Sequence, residues 1–131
     1  MTDWKAGMRV TAGRLKDGVS PTVVTTGLTA ASGFTVTNFS GYKIGHMAYI
    51  FATITNTNSI SMTSGNITPD VTIGTLPSGW GPLDSVNGIF GNGAMDGEFV
   101  IVGRDIQIRS AVANIASNTS LRLATSYVLA T

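Results

Sequence analysis

From residue 22 onward, apolar and polar residues alternate with a period of two, the pattern of strands with one buried face. The runs TVVTTGL, FTVTNF, KIGHMAYIFATIT, DVTIGTL, SVNGIF, GEFVIV, DIQIR and SLRLATSYVLA carry it, and turn-favouring residues separate them. In the last run Leu121, Leu123, Tyr127 and Leu129 fall on one side, and Ser120, Arg122 and Ser126 on the other. That predicts one buried and one solvated face. Val102-Gly103-Arg104-Asp105-Ile106 reads as a hairpin turn that brings Phe99 and Ile101 opposite Ile106 and Ile108. Asn56–Asn58 and Gly65-Asn66 are further turns. The run over 43–55 is apolar on both sides. Ile44, Ala48, Ile50, Ala52 and Ile54 share one face, and Met47, Tyr49 and Phe51 the other. Such a run predicts a single central strand, or one covered by a neighbouring subunit.

The opening residues, MTDWKAGMRVTAGRLKDGVS, lack this alternation. Thr11 can cap a short helical turn through Arg14, Leu15 and Lys16, with Gly18 ending it. Trp4, Met8, Val10 and Leu15 are too scattered to form a core. Lys5, Arg9, Arg14 and Lys16 cluster in the first sixteen positions with only Asp3 opposing them, a polarity that suits attachment to a partner. The chain therefore divides into an N-terminal anchoring arm over 1–21, with at most one short helix, and a head over 22–131. Short strands, glycine-rich turns and no long helical pattern predict an all-β head, an antiparallel β-sandwich of jelly-roll kind.

Composition adds one expectation and removes several. A chain of 131 residues makes one domain with a real core. Charged residues are 11% of it, against about 25% in ordinary soluble domains. Ser, Thr, Asn and 16 Gly take their place. A surface so poor in charge keeps itself apart from other chains badly, which predicts an oligomer. The net charge of +1 is too small for phosphate neutralisation to drive nucleic-acid binding. No apolar segment has the length of a signal peptide or a membrane span, so the expectation is synthesis in a cytoplasm with no membrane partner. Cysteine is absent, which removes disulfides and thiolate metal sites.

Candidate chemistry is thin. His46 is the only histidine and falls within the predicted central strand, where a packed or hydrogen-bonded role is expected. A metal site would need more ligands at fixed spacing, and no GxSxG elbow accompanies a possible triad. Asp96 and Glu98 are two apart and would share a face of a strand; with Asp105 they fall short of the about six oxygens a Ca²⁺ site takes. GIFGNG at 88–93 lacks the Lys-Ser/Thr of a phosphate loop, and its glycines read as a bulge or a close backbone approach. Tyr42, Tyr49, Trp80 and Phe90 could stack on sugars or bases, although aromatics of a sandwich usually serve core or interface. No catalytic residue, cofactor site or metal site is predicted.

Two stretches carry a resemblance. GNITPDVTIGTLPSGWGP followed by GIFGNGAMDGEFVIVGRDIQIRS, and the opening WKAGMRVTAGRL, resemble short structural proteins of phages and prophages of actinobacteria, in which a strand runs into LP-x-G-W/Y-R-P and a glycine-bearing hairpin follows. Here Gly81 stands where that pattern has arginine. The resemblance implies a trimeric β-sandwich like those of fibre tips and capsid surfaces, on a virion assembled in the host cytoplasm. It implies partners as well: further copies of the chain, the major capsid protein or another virion protein met by the arm, and, for a minor tail protein, a host cell-surface glycan. Trp4, Met8 and Leu15 would be the arm's apolar anchors, with Arg9, Arg14 and Lys16 meeting an acidic surface. Leu76, Pro77, Gly79, Trp80 and Pro82 would form a rigid elbow between sheets. Gly79 would supply the unusual φ, and Trp80 would pin the bend against the body or an adjacent protomer.

Overall fold

The computed structural model describes residues 21–130. Trp4, Met8, Arg9, Arg14, Leu15 and Lys16, and the short helical turn expected among them, lie outside the described residues. The described chain forms nine strands: β1 (Thr22–Val24), β2 (Thr29–Ala30), β3 (Phe34–Ile44), β4 (Met47–Asn56), β5 (Asn66–Thr75), β6 (Val86–Gly91), β7 (Asp96–Val102), β8 (Asp105–Ala111) and β9 (Ser120–Val128). They make one sheet in the order β1-β3-β4-β9-β6-β7-β8-β5-β2, and all paired neighbours are antiparallel. The sheet curls into a half-barrel with no helix among the described residues. Strands β2 and β5, near one end of the order, come back beside β3 near the other.

Curling turns the apolar side of every strand inward. Phe39, Ile50, Ile54, Leu121 and Leu123 face Ile73, Phe90, Phe99, Ile101, Ile106 and Ile108 in one buried cluster. Packing across it is tight at Gly74 of β5, where a Cβ would stand 3.5 Å from Ile54 Cδ1 of β4 and 3.6 Å from Leu28 Cδ1. The β7–β8 hairpin has the register expected from sequence, Phe99 opposite Ile108 and Ile101 opposite Ile106. So does β9, whose Leu121, Leu123 and Tyr127 are buried and whose Ser120, Arg122 and Ser126 are exposed. Gly88, the first glycine of GIFGNG, and Gly97 on the facing strand are explained by two reciprocal pairs. Gly88 lies opposite Phe99, and Phe90 opposite Gly97; each ring covers the facing glycine so closely that a Cβ there would collide with it.

One expectation fails. Residues 43–55 are not a single strand, because Gly45, at φ +58°, and His46 form a two-residue turn between β3 and β4. Glycine at the first central position is what a II′-type hairpin demands. A two-residue turn also breaks the alternation. Ile44 pairs with Met47, so it leaves the face of Ala48, Ile50, Ala52 and Ile54 and joins the outer face. His46 is consequently an exposed turn residue whose carbonyl accepts from the Leu129 N–H at 2.7 Å; it is not packed in a strand.

One buried polar side chain, Asn56, knots the end of β4 to the loop that precedes β9. Its Nδ2 donates to Asn58 O at 2.7 Å and to Ala116 O at 2.9 Å, while its Oδ1 accepts from the Thr119 N–H at 2.9 Å. An isosteric apolar residue would strand those loop groups without partners. Asn56→Leu should lower unfolding free energy by about 1–3 kcal/mol. In urea the midpoint should fall with the slope unchanged; an unmoved midpoint would show that the knot contributes nothing.

Candidate functional site

The stretch between β5 and β6 leaves the β6-β7-β8-β5 half of the sheet, reaches β3 and β9 of the other half and returns, and TLPSGWGPL builds that path from short-range constraints. Leu76 leaves β5 with its N–H on Arg104 O at 2.8 Å and its carbonyl taking Arg104 Nη1 at 3.1 Å. Pro77 packs on Gly27, where a Cβ would lie 3.0 Å from the ring's Cγ. The Trp80 N–H then returns to Pro77 O at 3.1 Å. Gly79, at φ +85°, fills the third position of this turn, the one that requires a positive φ in a type II bend.

Trp80 is 4% exposed, and its own chain supplies that cover. Its ring lies over Gly41 of β3, where a Cβ would stand 2.8 Å from Cζ3. The Lys43 ammonium sits 4.4 Å from the ring centroid and donates to Gly79 O at 2.9 Å, so one cation holds both the face of the indole and the turn beside it. From β9, Tyr127 Oη donates to Trp80 O at 2.6 Å. Burial pushes the Tyr127 hydroxyl up to about 12, because a phenolate there would lose its hydration. Gly81 is backed against the β7–β8 turn, with a Cβ position 2.8 Å from Gly103 O. No side chain fits there without a shift, and the guanidinium beside the elbow belongs to Arg104 instead. Pro82 bridges to Leu129, and the Leu83 N–H reaches Val128 O at 2.8 Å.

That last contact delivers Leu83 to the outer face of β3, β4 and β9, and this face carries a continuous apolar patch. Registers place Ile44, Met47 and Val128 in one row across the three strands, and Leu83 extends it beyond β9. A second row runs Val23, Tyr42, Tyr49 and Ser126. The seven large apolar side chains of these rows are between 43% and 60% exposed. The Tyr42 and Tyr49 rings lie 6.3 Å apart, tilted by 51°. Between them and Met47 is a shallow depression of about 160 Å³. Neither row contains a charged residue. Sequence reading placed Met47 and Tyr49 on this face but put Ile44 on the opposite one, because it carried the strand through Gly45. The signal was there in Gly45-His46 read as a two-residue turn.

The groups considered for chemistry are dispersed. Asp96 and Glu98 share the outer face of β7, but Asp105 lies past the other end of that strand, so the three do not meet. Glu98 is held by Asn87 Nδ2 at 3.1 Å and Arg109 Nη1 at 3.4 Å, and Arg109 Nε pairs with Asp70 at 3.2 Å. Among the described residues no cluster of three His, Asp or Glu side chains is placed to hold a metal ion. Trp80 and Phe90 are buried, which leaves Tyr42 and Tyr49 as the exposed aromatics of the four named for stacking. No family model, curated protein or solved structure matches the chain.

Two outcomes follow from the elbow. Trp80→Ala empties a buried site and should cost about 3–5 kcal/mol of stability, read by urea unfolding; a change below 1 kcal/mol would contradict this packing. The raised Tyr127 value also has a sign. Below pH 10 its contribution is complete; above it the unfolded chain loses the proton first, so stability falls until about pH 12. Tyr127→Phe should be less stable at neutral pH by about 1 kcal/mol yet lose less than the parent between those limits.

Proposed function

We propose that the protein is a non-enzymatic structural component of a phage particle: a capsid decoration, or cement, protein on the virion surface. In this reading it is a trimer of jelly-roll-like β-sandwich heads, assembled in the cytoplasm of the bacterial host. The arm of residues 1–21 would attach each copy to the major capsid protein or another virion protein. The phage assignment rests on the sequence resemblance. The observation that carries the assembly role is the pair of apolar rows on the outer face of β3, β4 and β9, large exposed side chains with no charge among them. Such a patch is what protein–protein contacts use. Three arms on one trimer would add their modest contacts at high effective concentration.

A second reading has its own support. The exposed Tyr42–Tyr49 pair would suit stacking on a sugar, as a minor tail or fibre-tip protein that binds a cell-surface polysaccharide would need. Counting copies in purified virions separates the two. Decoration requires a number comparable to that of the shell protein, and particles stripped of it should lose resistance to heat. Charge reversal at Arg9, Arg14 and Lys16 in the full chain should abolish attachment and leave the head folded. A handful of copies confined to the tail, with glycan binding by the isolated protein, would replace the first reading by the second.

A further inference from the structure

An asparagine followed by glycine is open to ring closure, because glycine brings no Cβ to shield its nitrogen or limit its rotation. The chain has two such pairs, Asn87-Gly88 and Asn92-Gly93, and the fold treats them oppositely. We propose that Asn92 is a site of self-modification, at which the Gly93 nitrogen closes on the Asn92 side chain and expels ammonia, while Asn87 is protected.

The hairpin between β6 and β7 builds the site. Asn92 Oδ1 accepts from the Ala94 N–H and the Met95 N–H, both at 2.8 Å. Two backbone donors on one carbonyl oxygen are the arrangement that stabilises the oxyanion of an acyl transfer. They draw electrons from Cγ and hold the charge that develops on Oδ1. The Asn92 N–H is taken by Met95 O at 3.2 Å, whereas the Gly93 N–H has no partner among the described residues. Gly93 is exposed, so hydroxide can reach that proton. Arg122 Nη2 lies 3.1 Å from where a Cβ on Gly93 would stand, and Arg122 is in no ion pair among the described residues. Its charge favours the amide anion that attacks.

Asn87 has none of this. Asn87 and Gly88 lie within β6, paired with Val100 and Phe99 of β7. The Phe99 ring covers Gly88, with Cζ 2.5 Å from a Cβ position there. Ring closure turns the peptide between the two residues out of the extended form, which at this point would break the ladder. Asn87 Nδ2 donates to Glu98 Oε1 at 3.1 Å, and that contact pushes electrons toward Cγ and away from reaction.

In the reaction Gly93 N gives its proton to hydroxide and bonds to Asn92 Cγ. The Cγ–Nδ2 bond then breaks, and Nδ2 leaves as ammonia after taking a proton from water. A second water opens the succinimide at either carbonyl, giving aspartate or isoaspartate. Either product puts a new carboxylate near Arg122, beside the Gly91–Arg122 ladder pair that joins β6 to β9.

Full-length protein incubated in mildly alkaline buffer, native or unfolded in guanidinium chloride, and sequenced by tandem mass spectrometry reads both sites in one molecule. The native ratio of the Asn92 rate to the Asn87 rate should exceed the unfolded ratio at least about tenfold, since one preorganised donor is worth about 100-fold where an active site holds it. Isoaspartate should accumulate at position 92 together with aspartate. If folding slowed Asn92 as much as Asn87, the hairpin would be no reactive site and the proposal would be overturned. A product at 92 that was aspartate alone would mean direct attack by water and would overturn it equally.

Discussion

The structure depends on how β9 is finished along its far edge. Its near edge is fully paired to β4, nine residues in register from Thr55–Ser120 to Met47–Val128. The far edge meets β6 at one ladder pair, Gly91 with Arg122, and meets the elbow at Pro82 with Leu129. Between those two points the β6 side has two more residues than β9, so the ladder cannot run through and the two halves of the sheet splay apart. A core between splayed halves leaks water unless something spans the gap. The elbow is that span. It is anchored at both ends by backbone hydrogen bonds and in the middle by an indole, a tyrosine hydroxyl and a lysine. Two prolines and two glycines follow from the same need, since the segment cannot borrow rigidity from a ladder.

Much of the curled sheet is legible from the period of two alone, because burial on one side imposes it. Phe99, Ile101, Ile106 and Ile108, and the alternating residues of β9, sit where the pattern puts them. The failures have a common physical source. Period-two reading assumes a continuous strand, and a two-residue turn is too short to interrupt the apolar run at Ile44 and Met47, though it reverses the chain. The elbow was visible as a break rich in Pro and Gly, with Gly79 at its positive φ. What the tryptophan packs on was not visible, since Gly41 and Lys43 reach it from a strand about forty residues earlier in the chain. The Asn56 knot was hidden for the same reason: two of its three partners, Ala116 and Thr119, are distant in sequence.

Scarcity of charge, read from composition, was a statement about the whole chain; in three dimensions it becomes a statement about one face. The outer side of β7, β8 and β5 holds Asp70, Arg109 and Glu98 in a connected group with Asp96 beside it, an ordinary solvated sheet surface. The outer side of β3, β4 and β9 has Arg122 toward one end and none in the two rows at the other. A chain merely short of charge would be thin everywhere. The charged half also exposes Ile89 and Val112, but among the described residues only the β3–β4–β9 side sets large apolar side chains in two adjoining uncharged rows, and the elbow adds to them. By turning Pro82 inward against Leu129, it obliges Leu83 to point out, so the device that closes the core also raises the most prominent side chain of the exposed face. Interior closure and external contact are thereby set by the same nine residues, and a change that loosens Trp80 must displace Leu83 with it.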